Sequence, residues 1–510
     1  MTATTSPRAD GRRGGRGGFL PLLHAEWTKF RTVRSWVTGM GVAALLMVLV
    51  ALLAGASSDQ KGAPPVPVGP GGEPVTDSYY LVHKPLAGDG SVTVAVSALR
   101  SSVPKGPGDL RPGVVPWAKA GLIVKESTRQ GSSYAAVMVT GKHGVRMQDD
   151  YVNDTAGPPG PVSAGSARWL RLDRSGTEVT GYASSDGRHW TEVGTARVSG
   201  LGSTVRVGLF VASPPAVEGL GTTGSVSTAV FTDLRLRGER TTGGGWSGEQ
   251  LGAGSPTFAG YPDDGSGSFT RSGGRITVTG AGDIAPAVRE SLPTGGTLRD
   301  ILTGTFAALI AVIVVGALFI TSEYRTRMIH LTLAADPRRS RVLVAKAVVL
   351  GGVTFVAGLA GALLAVPLGE RLARANGVYL FPVASSTGIR VAFGTAALLA
   401  AASVLALALG AVLRHSAAAV TTAVVVIVVP YLLTAVPFVP AGVADQLARV
   451  TPAAAFAVQQ TLVRYEHVAS HHTPYHGYYP LAPWAGLAVL AGYAVAGLVV
   501  AAVLLRRRDA

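Results

Sequence analysis

The chain of 510 residues contains no cysteine. A disulfide-stapled secreted domain, a thiolate zinc site, an iron–sulfur cluster and a cysteine nucleophile are therefore excluded. Charged residues are also scarce, at 15% of the chain, and the apolar residues are concentrated in a few long uncharged runs. This composition excludes a disordered chain and an ordinary soluble enzyme.

A nucleotide-binding loop is missing as well. The single Gly-Lys pair, Gly141-Lys142, has Ala136 where a G-x-x-x-x-G-K-[ST] motif requires its first glycine. Any ATP-driven step would therefore require another subunit to bind ATP and magnesium, and we expect no cofactor in this chain. We accordingly predict that the chain is not itself an enzyme.

Six runs are each long enough to cross about 30 Å of hydrocarbon, which takes roughly 20 helical residues. They are 35–56, 301–321, 347–368, 391–413, 416–436 and 484–505, and none contains Asp, Glu, Lys or Arg. A proton- or ion-coupled carrier needs ionisable groups near the membrane midplane, so that class is disfavoured. The small-residue triplet Ala54-Gly55-Ala56 is also compatible with a cleaved signal peptide, but the first run is over-long for one and five more follow. The sequence predicts a plasma-membrane protein with six transmembrane helices.

The net charge of +15 lies mostly beside these runs. Residues 1–34, 322–346, 414 and 506–510 hold 17 Lys and Arg against 5 Asp and Glu, which accounts for 12 of the 15 excess positive charges. Lys and Arg are retained on the cytoplasmic side of a membrane. We therefore predict that both termini are cytoplasmic and that residues 57–298 are extracytoplasmic. The basic residues are predicted to lie beside the lipid bilayer, and no nucleic acid partner is expected.

Residues 57–298 are too many for a simple loop and predict a domain. The Pro/Gly-rich stretch 57–73 is typical of a linker. From 74 to 298, short alternating runs separated by turn residues predict an antiparallel β-sandwich, as at 91–97, 169–173, 177–182 and 205–211. Asp186-Gly187 predicts a hairpin with a two-residue type I′ turn. The run 275–279 is predicted to complete the sandwich, so deletion of 245–285 should unfold it.

Segments 86–94, 117–124, 168–172, 184–190 and 207–211 resemble the bacterial secreted branch of the concanavalin-A-like or laminin-G-like superfamily, over about 160 residues. The resemblance implies a jelly-roll sandwich. Trp117, Tyr134, Trp169 and Trp190 are candidate glycan contacts, because aromatic faces pack against sugar rings. We favour the alternative that they are core and hairpin residues, since aromatics in alternating strands are usually buried.

A membrane-bound glycoside hydrolase would need two facing carboxylates. The candidate acids are the adjacent pairs Asp149-Asp150 and Asp263-Asp264. Neighbouring side chains on an extended chain point to opposite faces. Catalysis by this domain is therefore not expected.

Residues 1–18 form a predicted disordered basic tail, followed by a helix at 19–34. Leu20, Leu23, Trp27 and Phe30 recur at helical spacing and predict that this helix is amphipathic and interfacial. In the predicted cytoplasmic segment 322–346, Asp336-Pro337 separates two short helices.

These features resemble the permease subunits of ABC transporters of the type 2 exporter class. The resemblance is carried by the interfacial helix, by S-E-Y-R at 322–325, by L-A-A-D-P-R-R at 333–339 and by Ala345-Lys346. It implies a homodimer or heterodimer of permeases that docks on separate ATPase subunits. The residues that it assigns to ATPase coupling are Glu26, Lys29, Glu323, Tyr324, Arg325, Asp336, Pro337, Arg338, Arg339 and Lys346. The alternative is that these charges only fix topology, because the positive-inside rule accounts for most of the arginines.

The predicted outer loop 437–483 contains His467, His471, His472 and His476. A spacing of four could place two imidazoles on one metal ion. We favour an aromatic belt at the membrane surface, because Tyr475, Tyr478, Tyr479 and Trp484 lie among them. We therefore expect no metal site, and residues 452–460 resemble the re-entrant or interfacial helices of the exporter class.

The sequence thus favours the membrane-spanning permease subunit of an ATP-driven ABC exporter. The outer sandwich would gate transport, bind a cell-wall glycan or capture the cargo, and the sequence leaves these three roles open. The alternative is a membrane-anchored carbohydrate-binding or sensory receptor, for which the short cytoplasmic segments provide no output domain.

Overall fold

A computed structural model describes residues 18–106, 109–163, 165–218, 221–240, 245–252, 267–328, 338–436 and 438–508. Asp263-Asp264, Asp336 and Pro337 lie outside the described residues. The helices are α1 Phe19–Thr32, α2 Arg34–Ser57, α3 Leu298–Ile301, α4 Thr305–Arg325, α5 Arg339–Ala375, α6 Ser385–Leu413, α7 Ser416–Thr434, α8 Ala441–Val450 and α9 Pro483–Arg508. Short 3₁₀ helices occupy Leu302–Gly304, Pro452–Gln459 and Pro474–His476.

Within the described residues, six helical stretches are long and apolar enough to cross a membrane: α2, α3 with α4, α5, α6, α7 and α9. Five of them contain a predicted run in full, and α7 covers residues 416–434 of the predicted run 416–436. They pack through small residues, and at Gly316 of α4 an added Cβ would lie 2.5 Å from the backbone oxygen of Ser403 on α6. Large apolar side chains such as Leu53, Val356 and Val495 remain exposed on the outside of the helices. This distribution is what a lipid-facing bundle requires.

The β-strands all lie between α2 and α3 in the chain. They are β1 Val75–Asp77, β2 Tyr79–Gly106, β3 Asp109–Gly113, β4 Lys119–Lys125, β5 Tyr134–Thr140, β6 Val145–Asp149, β7 Asn153–Ala156, β8 Arg168–Ser175, β9 Glu178–Ser184, β10 Thr191–Arg197, β11 Thr204–Ala212, β12 Ala216–Glu218, β13 Gly221–Thr223, β14 Val226–Arg240, β15 Ser247–Leu251, β16 Ser268–Ser272, β17 Arg275–Ala281 and β18 Ile284–Pro286.

The long strand β2 belongs to two sheets. Its first part pairs with β11 and β15, and β11 continues through β4, β5 and β6 to β7; we call this sheet I. Its second part pairs with β8 and β14, which lead to β9 and β10 on one side and to β17 and β16 on the other; we call this sheet II. Gly88, at φ +75°, lies where β2 passes from one sheet to the other. Alternate residues of the two sheets, including Val82, Leu122, Val94 and Leu172, form the buried core between them.

The other face of sheet I is covered by the paired strands β1 and β18, through which the chain enters and leaves the sandwich; we call this pair the neck. Two fully buried lysines of β4 form ion pairs that attach the neck to sheet I. Lys125 Nζ lies 2.9 Å from Asp77 Oδ2, and Lys119 Nζ lies 2.7 Å from Asp283 Oδ1. Burial lowers the pKa of Lys125, although the Asp77 carboxylate acts in the opposite direction. Buried ion pairs fix the register of the neck against sheet I.

Two sequence predictions about strands have definite outcomes. The run 275–279 does complete the sandwich, because β17 pairs with both β14 and β16. The hairpin of β9 and β10 is present, but its predicted two-residue type I′ turn is wrong. Thr191 pairs with Ala183, so the connection is longer, and of Asp186 and Gly187 only Gly187 has a positive φ. Asp186 instead accepts hydrogen bonds from the backbone N–H groups of Arg188 and His189, which stabilises the wider turn.

Candidate functional site

Four of the predicted coupling residues meet in one ionic cluster, defined as Glu26, Lys29, Glu323 and Lys346. Lys346 Nζ donates to Glu26 Oε2 at 2.7 Å and to Glu323 Oε1 at 2.6 Å. Lys29 Nζ donates to Glu26 Oε1 at 3.0 Å and to Glu323 Oε1 at 3.4 Å. Two carboxylates thus bridge two ammonium groups, and the formal charges cancel.

The four members of the ionic cluster come from three helices: α1 supplies Glu26 and Lys29, the end of α4 supplies Glu323, and the start of α5 supplies Lys346. The side chain of Lys346 is fully buried and that of Glu26 is 1% exposed. Lys346 Nζ also lies 4.8 Å from the ring centre of Phe319, which packs against Phe30 of α1. The cluster therefore joins three helices at one end of the bundle.

The burial of Glu26 could not be read from the apolar periodicity of α1. Glu26 is buried with Phe30, whereas Leu20 and Trp27 of the predicted interfacial face are exposed, and the interfacial placement of that face stays a prediction. Pairing with Lys346 accounts for the burial of Glu26, since a buried ammonium group requires a partner. Although burial alone would lower it, the carboxylates of Glu26 and Glu323 raise the pKa of Lys29.

Of the remaining predicted coupling residues, Asp336 and Pro337 lie outside the described residues, and the other four belong to or directly flank the helices α4 and α5. Arg414 stacks over the ring of Tyr324 at 5.1 Å. Arg325 and Arg338 are exposed. Arg339 donates to the backbone oxygen of Leu505 in α9 at 2.6 Å. A role in contacting an ATPase stays a prediction for all ten residues, and the buried ones offer no surface to a partner.

A second candidate site is a cleft of about 1040 Å³ on the outer face of sheet II, which we call the arginine cleft. Its floor is an in-register row: Arg235 of β14 pairs with Thr93 of β2, Thr93 with Arg171 of β8, and Arg171 with Tyr182 of β9. Trp190 closes one side, with the Arg171 guanidinium 4.9 Å from its ring centre. The cleft thus combines arginines with aromatic rings on one sheet face.

The four candidate glycan contacts do not form one platform. Tyr134 is fully buried beneath the neck, beside Tyr151 at a ring distance of 4.9 Å. Trp117 is 7% exposed and stacks on His143 at 3.9 Å. Both therefore follow the favoured interpretation as packing residues. Trp169 and Trp190 are half-buried and line the arginine cleft.

The segment between α7 and α9 joins the bundle to the sandwich. All residues of the 3₁₀ helix Pro452–Gln459 are buried, and Gln459 Nε2 donates to the hydroxyls of Thr305 and Thr395 at 3.1 Å each. Further along, the buried His467 makes a 2.9 Å hydrogen bond from Nε2 to the backbone oxygen of Tyr151 in the sandwich. Burial lowers the pKa of His467. The segment therefore fixes sandwich and bundle against each other.

Two other histidines of this segment lie beside Glu290, just beyond the neck. His471 Nδ1 lies 2.8 Å and His476 Nε2 lies 3.6 Å from Glu290 Oε1. Burial raises the pKa of Glu290, but hydrogen bonds from Ser470 and His471 outweigh it and lower the pKa overall. Among the described residues no group of three or more His, Cys, Asp or Glu is placed to hold a metal ion.

The four residues of the predicted aromatic belt differ in their exposure. Tyr475 and Trp484 are exposed, as an aromatic belt requires, whereas Tyr478 and Tyr479 are buried. The belt prediction is therefore wrong for Tyr478 and Tyr479, because both pack inside the protein.

Sequence reasoning missed the arginines of the cleft. Arg171 stands two residues from Trp169, and Arg235 stands two residues from Arg237, so each pair shares one sheet face. This alternation of side chains between the two sheet faces is the sequence signal that places Arg171 beside Trp169 and Arg235 beside Arg237. The four candidate aromatic residues do not share one face, so treating them as one platform conceals the signal.

A profile described as ABC-2 family transporter protein matches residues 135–510. No curated protein matches the chain. The matched residues include most of the sandwich and all helices from α3 to α9, so the match extends over the Glu323 and Lys346 side of the ionic cluster.

Several solved structures align with part of the chain. A functionally unknown protein from Saccharomyces cerevisiae is 14% identical, with 32% of this chain and 74% of that chain covered and a TM-score of 0.21. Scytalido-glutamic peptidase with a transition state analog inhibitor is 10% identical, with 40% and 98% covered and a TM-score of 0.25. The alginate lyase from Klebsiella pneumoniae is 12% identical, with 30% and 61% covered and a TM-score of 0.18. At these TM-scores the similarities carry no weight for fold or function, and the assignment to the concanavalin-A-like superfamily stays a prediction.

Proposed function

Because the chain belongs to the ABC-2 family of transporter proteins, we propose that it is the permease subunit of an ATP-driven exporter that works with a separate ATPase. The family is a multi-pass membrane component of transporters rather than an enzyme, and it implies an ABC ATPase partner in general. The proposal adds the direction of transport, the six-span topology and the site of coupling.

The observation that carries this proposal is the ionic cluster. It links α1, α4 and α5 through side chains that are almost wholly removed from solvent. Removing one partner of a buried ion pair strongly destabilises the fold, so we expect the linked ends of α1, α4 and α5 to move together. Force applied by an ATPase to α1 or to residues 322–346 would thus reach α4 and α5 as one unit.

The proposed orientation places the ionic cluster in the cytoplasm and the sandwich outside. It rests on the excess of basic residues beside the helix ends near the cluster, where Arg325, Arg338 and Arg506 lie. In this orientation both termini are cytoplasmic. The exposed arginines near the cluster then face the cytoplasm, where the proposed ATPase lies, and the buried members transmit its motion.

The partner subunit can be identified directly. The full-length chain carrying an affinity tag would be purified from membranes of its native host in mild detergent, and co-purifying chains identified by mass spectrometry. We expect an ATPase with a Walker motif in near-stoichiometric amount. Arg338→Ala should reduce its recovery, whereas the matched control Arg374→Ala, an exposed arginine at the opposite end of α5, should not.

Receptor function is a second candidate, favoured by the arginine cleft. A receptor would be recovered reproducibly without an ATPase and with a ligand bound to the sandwich. Equal ATPase recovery with the Arg338→Ala variant and with its control would separately contradict the proposed docking surface.

A further inference from the structure

The arginine cleft holds more positive charge than its own acidic residues neutralise. Asp173 pairs with Arg171, whose Nε lies 3.1 Å from Oδ2. Asp186 accepts hydrogen bonds from backbone N–H groups of its own hairpin, and its Oδ2 lies 2.6 Å from Nδ1 of His189. Asp89 accepts a hydrogen bond from the backbone of Gly176. Each acid of the cleft therefore already has a partner.

Three arginines of the cleft have no acidic partner within it. Across the part of the chain that the structure describes, the guanidinium groups of Arg188, Arg235 and Arg237 make no ion pair or hydrogen bond, and all three side chains are exposed. Arg174 differs, because it is buried and donates to the backbone oxygens of Gly88 and Gly176. The three unpaired guanidinium groups thus converge on one cleft, where each can bind a carboxylate or phosphate through two parallel hydrogen bonds.

The walls of the cleft add flat apolar surfaces and hydroxyls. Gly187 lies so close to Trp169 that an added Cβ would come within 2.8 Å of the indole ring, so the hairpin turn packs against one face of this ring. Trp190 is likewise held on one face by Arg171. Thr93 and Ser91 supply hydroxyls on the floor. Half-buried rings beside hydroxyl groups suit a ligand with alternating apolar faces and polar edges, as sugar rings have.

The position of the cleft in the fold argues against a lipid headgroup as the occupant. The neck, which continues into α2 and α3, covers the outer face of sheet I. His467 also contacts the sandwich on that side, at Tyr151. The cleft lies on the outer face of sheet II, with the whole sandwich core between it and the neck. It is therefore directed away from the attachment to the helical bundle.

We propose that the arginine cleft binds an acidic saccharide, whose carboxylate or phosphate groups contact Arg188, Arg235 and Arg237 while a sugar ring packs against Trp190. The volume of about 1040 Å³ accommodates several sugar units, since ligand sites commonly measure roughly 300–1,000 Å³. This inference rests on the proposed extracytoplasmic placement of the sandwich, but not on the partnership with an ATPase.

The test measures binding to the full-length protein in detergent by isothermal titration calorimetry. The probes are an oligogalacturonate, which carries carboxylates, a phosphorylated dextran oligomer, which carries phosphates on sugar rings, and maltohexaose as a neutral saccharide. We expect at least one acidic probe to bind, with an affinity that falls as salt is added, and no binding of the neutral saccharide. The better of the two acidic probes identifies the source of the anionic group.

Charge-removing variants then locate the site. The double variant Arg235→Gln/Arg237→Gln should weaken binding at least roughly tenfold for each arginine, because a charge-assisted hydrogen bond contributes on that scale. The matched control is Arg129→Gln, which removes an exposed arginine on the neck side of the sandwich and should leave affinity unchanged. Both replaced arginines are exposed, so the fold is not at risk.

Several outcomes would overturn the inference. They are equal binding of neutral and acidic saccharides, unchanged affinity in the double variant, failure of both acidic probes, or binding only to vesicles that contain anionic lipid. ATPase recovery with the double variant separates this inference from the proposed function. If the ATPase co-purifies normally and neither acidic probe binds, the cleft assignment fails while the exporter proposal stands.

Discussion

Replacing Lys346 by methionine tests the ionic cluster most sharply. Methionine has a similar length and no charge, so Lys346→Met keeps most of the packing while removing both hydrogen bonds to Glu26 and Glu323. The two carboxylates then share only Lys29, which is 29% exposed and lies 3.4 Å from Glu323. A net negative charge is left in a site from which water is excluded.

The expected loss is large because the site is buried. Removing one partner of a buried ion pair costs about 3–5 kcal/mol. At about 2–4 °C per kcal/mol for domains of 150–250 residues, the apparent melting temperature should fall by roughly 6–20 °C. The exposed pair Arg374–Glu370 gives a matched control, with side chains 62% and 32% exposed and atoms 3.8 Å apart. Arg374→Met should cost about 0–1 kcal/mol.

The assay is the temperature at which half of the detergent-solubilised, full-length protein remains monodisperse. Adding Glu323→Gln to Lys346→Met should recover part of the loss, because the site becomes neutral again. The reasoning is refuted if Lys346→Met melts within a few degrees of Arg374→Met. It is also refuted if the double variant is less stable than Lys346→Met alone.

Three further predictions concern the sandwich and its contacts. Lys125→Met should destabilise the sandwich by about 3–5 kcal/mol, since it leaves the buried Asp77 carboxylate without its ammonium partner; urea unfolding followed by tyrosine fluorescence measures this. Deletion of 245–285 removes β17 and should make the sandwich protease-sensitive, and unchanged protease resistance would refute it. Burial lowers the pKa of His467 below its ordinary value near 6.5, so an undocked His467 takes up a proton first as pH falls. The contact with Tyr151 should therefore be complete above about pH 6.5 and weaken below it, measured as faster hydrogen exchange around 465–470. His467→Gln should remove this dependence.

Much of the architecture was predictable because it depends on local patterns. Apolar runs without charge identified the six long apolar helices found among the described residues, and alternation with turn residues identified several of the strands. Contacts between distant segments were not predictable. Glu26 and Lys346 are 320 residues apart, and each reads locally as an ordinary charged helix residue.

In the candidate sites too, features that depend on local patterns were predictable and features that depend on contacts between distant segments were not. Tyr134 and Trp117 were correctly favoured as packing residues, because aromatics in short alternating strands are usually buried. The arginine cleft depends on the register of β14, β2, β8 and β9, which sequence alone does not specify. The turn between β9 and β10 was misjudged because Asp186 binds backbone N–H groups instead of adopting a positive φ.

ATP hydrolysis by the complex recovered through a tag on this chain tests the central claim most directly. The chain belongs to a transporter family and is proposed to act through a separate ATPase. The account predicts hydrolysis well above that of an untagged control preparation, and a marked reduction in the Lys346→Met variant at a temperature where that variant remains monodisperse. Hydrolysis no higher than in the untagged control, from a preparation that retains the intact chain, would contradict it.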